Sequence, residues 1–399
     1  MSDNATLSED EAEAFAARCR EFLESADTSG GFSGAKAFLA QAAEAGLGGI
    51  VFDEAYGGAG LSRDHDRIWR AEKAKFGSPD SEFVISQGMC LPVLNDFGTE
   101  EQKRTYMPDN ISGATMWCQM FSEPGAGSDV ASLQTKAELD GDEWIINGQK
   151  VWTTLAHKSD YGVLIARTNP DVVKHAGISM FIVDMKDPAV EIRPIHQIDG
   201  GTHFNEVFFT DLRVPKDNLL GELNNGWNQA TAMLMYERVA IGSLGGGSLR
   251  QPNYAALKEI AVKNGRIGDP VVRDQLMKLY AMETTKAMVA MRARAEMKAG
   301  KAPGPGGSLG KLFGSQIFWY FREVAQNIMG TEATAWETGG DPAETMHLRV
   351  LNSFQAGIAG GTDEVQRNII GDRVLGLPRE PSADKGVPFR ELKVGTQTS

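Results

Sequence analysis

The sequence predicts an α+β protein in which two helical domains flank a β barrel or small sandwich. Helical periodicity dominates both ends of the chain, whereas short alternating or apolar runs dominate its middle. The length of 399 residues exceeds what one ordinary core holds, which indicates several domains. A composition of 42% hydrophobic and 23% charged residues is typical of a globular protein.

The N-terminal domain is predicted to be helical over residues 1–115. Ser8 and Glu11 have the spacing of a capping box, which predicts a first helix at this point. Apolar residues at helical spacing predict two further helices, over 35–45 and 63–76.

The middle domain is predicted to be built of β-strands over residues 116–226. Runs of strand length recur there between turn residues, and the clearest lie at 144–146, 161–166, 178–183 and 207–209. Strands that follow one another in this way, without helices between them, favour a barrel or sandwich over a doubly wound sheet.

The C-terminal domain is predicted to be a helical bundle over residues 227–399. Helical periodicity is clearest at 282–298 and 309–329, and the stretch 301–308, rich in proline and glycine, separates these segments as a linker. Beyond about residue 378 the sequence predicts an extended arm or a loose tail.

The charge and the cysteines exclude several classes of partner and site. A net charge of -13 repels phosphates, so we expect neither nucleic acid nor an anionic membrane as a partner. The chain has no apolar run near the ~20 residues of a membrane span and no apolar signal region at its acidic start. Cys19, Cys90 and Cys118 have no metal-ligand spacing. We expect a cytoplasmic protein with reduced thiols and no metal site.

The stretch 116–154 is the most informative part of the sequence for function. A compact turn at 123–129 lies between apolar runs, and a β-rich segment follows. Such a loop can offer backbone N–H groups and hydroxyls to a flat polar ligand. Gly125 and Gly127 lack the third glycine and the βαβ context of a dinucleotide fold, and no lysine of a phosphate loop follows them.

Several motifs occur in a fixed order along the chain. They are Tyr-Gly-Gly-Ala-Gly at 56–60, Gly-Thr-Glu-Glu-Gln-Lys at 98–103, Ser-Glu-Pro-Gly-Ala-Gly-Ser-Asp at 122–129, Trp-Ile-Ile-Asn-Gly-Gln-Lys at 144–150 with Trp-Thr-Thr at 152–154, Arg-Val-Pro at 213–215 with Leu-Gly-Glu at 220–222, and Gly-Thr-Asp-Glu-Val-Gln-Arg at 361–367. Together they make the chain resemble the acyl-CoA dehydrogenase family. This resemblance implies an N-terminal helical domain, a middle β-barrel domain and a C-terminal four-helix-bundle domain.

The resemblance also implies a cofactor, FAD, bound at the barrel and reaching a neighbouring subunit. In this family an acyl-CoA thioester loses its α-proton to an enzyme carboxylate and a β-hydride to flavin N5, which gives a trans-2-enoyl-CoA. The electron-transferring flavoprotein is the implied electron acceptor.

The resemblance implies that the flavin is contacted by residues of the stretch 116–154 and of the last motif. These residues are Gln119, Phe121, Ser122, Gly127, Ser128, Trp152, Thr154, Thr362 and Glu364. Hydroxyls and amides there can hydrogen-bond the ring system, and Trp152 can supply a flat apolar wall. The alternative is structural: Trp152 as a core aromatic, Ser128 and Thr362 as caps, and Glu364 in a surface salt bridge.

The catalytic base is predicted at an unusual position. Many members carry a glutamate just before the Gly-Thr of the last motif, but Gly360 stands there in this chain. A minority, similar to isovaleryl-CoA dehydrogenase, places the glutamate on the first long helix of the C-terminal domain, where Glu237 matches. The alternative is an interior glutamate paired with Arg238. Gly360 keeps a backbone N–H that can donate to the thioester oxygen.

Substrate contacts are expected from Ser128, Met235 and Arg238, the last near the adenine end of CoA. The arginine that clamps the FAD pyrophosphate of a partner subunit is displaced, so either Arg266 or Arg273 substitutes or a different chain supplies it. The second possibility resembles steroid side-chain acyl-CoA dehydrogenases, which pair two unlike subunits. A homotetramer, a heterotetramer, a non-catalytic subunit and a flavin oxidase or oxygenase of the same fold remain open, and a bulky branched or steroid side-chain acyl group is the expected substrate.

Overall fold

The structure is a computed structural model that describes residues 7–27, 29–77, 79–243, 254–299, 306–334, 342–382 and 384–392. Within these ranges some side chains, including those of 237–243, are outside the description. The chain divides into two compact units, Met1–Gly247 with Ala383–Ser399, and Ser248–Ser382. We describe each unit by itself.

The first unit begins with helices, as predicted. They are α1 (Glu9–Ser25), α2 (Gly31–Glu44), α3 (Arg63–Lys75), α4 (Leu91–Phe97) and α5 (Glu100–Ile111). The predicted capping box is present, because Ser8 N–H donates to the Glu11 carboxylate at 2.9 Å and Glu11 N–H donates to Ser8 Oγ at 3.3 Å. Helix α2 starts earlier than predicted, since Gly30 adopts a left-handed φ of 94° and begins the helix.

The middle of the first unit is a β-sheet. Its strands are β1 (Trp117–Met120), β2 (Lys136–Asp140), β3 (Glu143–Thr154), β4 (Tyr161–Arg167), β5 (Ile178–Asp184), β6 (Val190–Pro194), β7 (Phe204–Pro215) and β8 (Leu219–Leu220). They form one 8-stranded sheet in the order β6-β7-β3-β2-β4-β5-β8, and β1 pairs in parallel with β4. Most neighbours are antiparallel.

The prediction of a closed barrel needs a correction. Within the described residues the sheet path ends at β6 and β8, which do not pair with each other. Strand β8 has only 2 residues, and β6 ends at Pro194, whose ring nitrogen cannot donate to a ladder. Neither edge therefore offers the other a full row of hydrogen bonds, and the sheet stays open.

Strands β4 and β5 are buried on both faces of the sheet, whereas β2, β6 and β7 have one more exposed face. One face encloses a cluster that includes Trp144, Phe181 and Phe209. The other face of β1, β4 and β5 packs on the helices, where Trp117 and Met180 belong to one cluster with residues of α4, α5 and α6 (Gly226–Ser243). One face of the sheet therefore buries side chains of its own domain, and the other face packs on helices at β1, β4 and β5.

The second unit is helical, as predicted for the C-terminal part. It contains α7 (Tyr254–Lys263), α8 (Pro270–Lys298), α9 (Gly306–Met329), α10 (Pro342–Asn352) and α11 (Asp363–Ile369). Leu257, Leu279 and Phe321 are fully buried in its core. Helix α9 begins at Gly306, inside the predicted linker.

The predicted arm beyond residue 378 is extended and part of it returns to the sheet. Phe389 is buried and its N–H donates to the Val172 carbonyl at 2.8 Å. Arg390 N–H donates to the Pro170 carbonyl at 3.0 Å. Residues 384–392 therefore pack as a strap on the first unit, and we call them the C-terminal strap.

Cys19, Cys90 and Cys118 are buried free thiols, and burial raises the pKa of Cys118 to about 12. Among the described residues, no three His, Cys, Asp or Glu side chains cluster in a way that could hold a metal ion. In the same part of the chain, every helix is too short or too polar to cross a membrane.

Candidate active site

The predicted flavin-facing loop follows directly from strand β1. Gln119 lies on β1, half-buried, opposite Val163 of β4. The chain then turns sharply, because the N–H of Glu123 donates to the Ala126 carbonyl and the N–H of Ala126 donates to the Glu123 carbonyl, each at 3.0 Å. This turn presents Gly127 and the following serine to solvent.

Strand β3 lies beside this loop and carries the second half of the predicted contacts. The N–H of Val151 donates to the Ser122 carbonyl at 2.9 Å, which joins the strand to the loop. The register of β3 with β7 shifts between Lys150 and Thr153, so the strand bulges at Trp152. A bulge next to a site re-aims a side chain, and here it turns the indole out of the sheet.

Trp152 has a backbone conformation that bulky residues rarely adopt. Its φ is 62°, in the left-handed region, which costs an L-residue roughly 1–2 kcal/mol. The side chain is 59% exposed, and one edge meets Phe204 with ring centroids 6.0 Å apart. A strained and exposed tryptophan is not a core aromatic, so the structural alternative for this residue is wrong. Strain of this kind marks functional sites.

The remaining predicted contacts of the first unit lie on the same loop and strand. Phe121 is buried, Ser122 and Thr154 are half-buried, and Ser128 is exposed. Within the described residues, no hydrogen bond from another protein group occupies the hydroxyls of Ser122, Ser128 and Thr154. The loop and the strand therefore combine an apolar wall with free hydroxyls, which is the lining of a site for a flat, partly polar ligand.

A buried ion pair lies behind the loop. Lys150 Nζ is 2.8 Å from Glu123 Oε1 and donates to the Phe121 carbonyl at 3.1 Å. Glu123 also accepts the N–H groups of Gln134 at 2.6 Å and Thr135 at 2.9 Å. The Lys150 side chain is 0% exposed and that of Glu123 6%. One lysine and one glutamate thus connect both ends of the loop to β3.

Burial and pairing act against each other in this ion pair. Burial alone raises the pKa of Glu123, but the Lys150 ammonium and the hydrogen bonds outweigh it and hold the pKa below its usual value. Burial lowers the pKa of Lys150, and Glu123 limits that shift. The geometry is that of a carboxylate and an ammonium that bond each other and nearby backbone groups.

A second cation supports the same loop from strand β4. Arg167 donates to the Ala131 carbonyl at 2.6 Å and lies with its guanidinium 3.7 Å from the centroid of the Phe389 ring. Burial lowers the pKa of Arg167 to about 10. Lys174 donates to Asp129 at 2.8 Å and also pairs with Asp384 of the C-terminal strap. The strap and the loop are therefore connected through buried or half-buried cations.

The predicted base lies on α6, and its side chain is outside the described residues, as is that of Arg238. Two preceding residues are described. Met235 is 57% exposed, and Tyr236 donates to the Asp96 carboxylate of α4. Burial and this carboxylate raise the pKa of Tyr236 to about 12. The phenol thus fixes α6 to α4 one residue before Glu237.

The last motif forms a tight turn in the second unit. Gly360 and Gly361 have φ values of 67° and 85°, and Gln366 Nε2 donates to the Gly360 carbonyl at 3.1 Å. A methyl group at Gly361 would lie 2.7 Å from that nitrogen. Asp363, buried, accepts from Ser315 Oγ at 2.8 Å and from Lys311 Nζ at 3.0 Å. The backbone of this turn is therefore fixed from both sides.

The other two predicted residues of this motif have local partners. Thr362 is the N-cap of α11, where its hydroxyl accepts from Val365 N–H at 3.3 Å. Glu364 pairs with Arg367 at 3.2 Å on the surface. These contacts match the structural alternatives for both residues. The structure thus places Gly360, Thr362 and Glu364 together in the second unit, and the loop and Trp152 together in the first.

Of the two arginines considered for the displaced clamp, Arg266 alone has side-chain partners among the described residues of its unit. Arg266 donates to the Asn327 carbonyl and to Asp269 at 3.0 Å, which connects α8 to α9. Arg273 lies on α8 and is exposed. Lys150 and Arg167 hold the loop in place, and Asp363 holds the turn of the last motif. No local sequence pattern predicts these contacts.

Comparison with known proteins gives the same domain order. Profiles of the acyl-CoA dehydrogenase N-terminal, middle and C-terminal domains match residues 2–114, 118–212 and 224–375. The acyl-CoA dehydrogenase IpdE1 of Mycobacterium tuberculosis is 38% identical over 352 residues, which are 88% of this chain and 89% of that protein.

Solved structures are similar over nearly the whole chain. The structure named Tcur3481-Tcur3483 steroid ACAD has a TM-score of 0.78 at 27% identity and covers 94% of this chain and 99% of its own. The ChsE4-ChsE5 complex from Mycobacterium tuberculosis has a TM-score of 0.74 at 26% identity, with 95% and 100% covered. The chain therefore belongs to the acyl-CoA dehydrogenase family of oxidoreductases, which act on acyl-CoA, and it resembles the steroid-type members.

Proposed function

We propose that this protein carries out FAD-dependent α,β-dehydrogenation of an acyl-CoA thioester. The observation that carries the proposal is Trp152, held exposed at a strained φ of 62° and adjacent to Val151, whose N–H donates to the Ser122 carbonyl of the loop. An enzyme maintains an outward indole at this cost when a ligand covers it. The free hydroxyls and the apolar wall fit an isoalloxazine ring, so the residues present suit FAD.

Residues of the first unit would hold this group in defined ways. The Trp152 indole provides a flat apolar face, while the hydroxyls of Ser122, Ser128 and Thr154 offer hydrogen bonds to ring nitrogens and carbonyls. Gln119, Phe121 and Gly127 complete the edge of the loop. A bound flavin supplies the hydride acceptor, and the protein supplies the orientation and the exclusion of water.

Glu237 would take the α-proton of the substrate. The support is its position on α6, where Tyr236 fixes the helix to Asp96, together with the glycine at position 360 where many members carry the base. Gly360 would donate its backbone N–H to the thioester oxygen and so stabilise the developing enolate. The turn held by Gln366 keeps that backbone in one conformation.

The substrate is proposed to be a CoA thioester with a bulky branched or steroid side-chain acyl group. The similarity to a steroid ACAD structure supports this class. Ser128, Met235 and Arg238 would contact the substrate, with Arg238 toward the adenine end of CoA. Thr362 and Glu364 would approach the flavin in addition to their local contacts.

The assembly is proposed to be a tetramer, either of this chain alone or with a second acyl-CoA dehydrogenase-like subunit. The similarity to two structures, each of which names a pair of proteins, supports an unlike partner. Arg273 is exposed, which suits the pyrophosphate clamp of a homotetramer, whereas Arg266 is engaged. The electron-transferring flavoprotein is the proposed acceptor, and the cytoplasm the proposed compartment.

The protein should be purified both alone and with the products of neighbouring genes, followed by flavin analysis per chain and anaerobic mixing with acyl-CoAs of increasing bulk. A dehydrogenase is yellow and is bleached by its substrate without oxygen consumption. Colourless protein that gains flavin only with a companion indicates a partner-dependent subunit. Rapid oxygen consumption indicates an oxidase or oxygenase, and an assembly without bound flavin would overturn the proposal.

A further inference from the structure

We infer that the buried pair of Glu123 and Lys150 is a positioning device that holds the flavin-facing loop in its binding conformation before the cofactor arrives. This inference rests on the proposed function, because it assigns the pair to the same site. Both side chains are buried, and apart from each other they bond backbone groups at 121 and at 134–135. They act through the backbone of other residues.

The first support is the set of groups that the pair connects. Lys150 donates to the carbonyl of Phe121, and Glu123 accepts the N–H groups of Gln134 and Thr135. The bonds therefore secure the loop at its entrance and at its exit, 121 and 134–135. The segment between them contains Ser122, Gly127 and Ser128, which are predicted to contact the flavin.

The second support is the place of Lys150 in the sheet. It lies on β3 immediately before the bulge, two residues ahead of Trp152. The N–H of the next residue, Val151, donates to the Ser122 carbonyl of the loop. The same lysine thus sets the distance between the loop and the strand that carries the indole. A change in its length or charge shifts both walls of the site together.

The third support is energetic. A buried ion pair adds little net stability relative to apolar residues of the same size, because desolvation offsets the attraction. A fully buried lysine in the middle of an amphipathic strand is therefore poorly explained by stability alone. Defined geometry is what the pair provides, since each ion has several fixed hydrogen-bond partners.

The test uses Lys150→Met and the double variant Glu123→Gln/Lys150→Met in the full assembly. Flavin content per chain, FAD affinity of the apoprotein by fluorescence titration and the thermal midpoint are measured. Lys150→Met leaves a buried carboxylate unpaired, so we expect both FAD affinity and stability to fall, the affinity about tenfold or more. The double variant removes both charges and should regain most of the stability while its FAD affinity stays about tenfold low.

A matched control comes from the exposed end of the same strand. Glu143 pairs with Arg213 at 2.9 Å, with side chains 45% and 53% exposed. Glu143→Gln should leave FAD affinity and stability unchanged. If the double variant regains both stability and wild-type FAD affinity, the pair is merely structural and the inference is overturned.

Amide hydrogen exchange of the wild-type apoprotein tests the same point without a substitution that could prevent folding. The N–H groups of Gln134 and Thr135 should be protected before FAD is added, because Glu123 already accepts them. Exchange at unfolded rates until FAD binds would contradict a preformed loop. If wild-type assemblies bind no FAD at all, the proposed function fails; if they bind it and the variants match them, only this inference fails.

Discussion

At the scale of single residues, Trp152 is where local preference and function conflict most clearly. A tryptophan gains nothing from a left-handed backbone or from solvent exposure, and yet it has both. Its sequence neighbours predicted a strand, and the strand is there, but the bulge at this residue was not predictable from alternation alone. Bulges depend on the register with a partner strand, here β7, which is distant in sequence.

Substitution of Trp152 by glycine tests whether the strain is used for binding. Glycine adopts a φ of 62° freely, so the free energy of unfolding should stay within about 1 kcal/mol of the wild-type value. FAD affinity should fall about tenfold or more, since the apolar wall is lost. Fluorescence titration of the apoprotein and thermal unfolding measure the two effects.

The control for this substitution is Ile198→Ala, which removes another exposed apolar side chain, 75% exposed, from the same sheet domain. It should change neither quantity. Equal FAD affinity for Trp152→Gly and the wild type would show that the exposed indole does not contact the cofactor.

At the scale of elements, periodicity predicted the order of helices and strands well. Helices α1, α3 and α9 and strands β3, β4, β5 and β7 all appear where apolar spacing placed them, because that spacing reflects burial on one face or two. Two features escaped prediction. The open sheet is one, because closure depends on pairing between edge strands that are distant in sequence. The ion pair of Glu123 with Lys150 is the other, because it joins residues 27 positions apart and no local sequence pattern indicates it.

The C-terminal strap is the element whose contribution is easiest to isolate. Phe389 buries its ring against the Arg167 guanidinium, and Arg167 in turn holds the Ala131 carbonyl of the loop. Phe389→Ala should therefore lower the free energy of unfolding of the first unit by about 1.5–3 kcal/mol. It should also weaken FAD binding, because the support of the loop is loosened.

Denaturant unfolding followed by tryptophan fluorescence measures the stability effect of Phe389→Ala. Leu377→Ala is the control, since that side chain is 54% exposed and its removal should change stability by less than about 0.5 kcal/mol. An unchanged midpoint for Phe389→Ala would show that the strap does not pack on the sheet in solution.

At the scale of the whole molecule, the fold and the family follow from the sequence more directly than the complete site does. Six motifs in order indicated the acyl-CoA dehydrogenase family, and three domain profiles agree with that assignment. The residues of the proposed site come from distant segments of the sequence: the loop with Trp152 lies in one unit and the Gly360 turn in the other. The proposed site also needs a catalytic carboxylate. Glu237 would supply it, since the position where many family members carry this glutamate is Gly360 here.

The measurement that tests this account most directly is anaerobic flavin reduction by an acyl-CoA substrate in Glu237→Gln, followed by stopped-flow absorbance. The variant should bind FAD as the wild type does and reduce it about 10²–10⁴-fold more slowly, because the α-proton loses its acceptor. Glu259→Gln, a surface change on α7, should reduce its flavin at the wild-type rate. Reduction of the Glu237→Gln flavin at the original rate would contradict the assignment of the base.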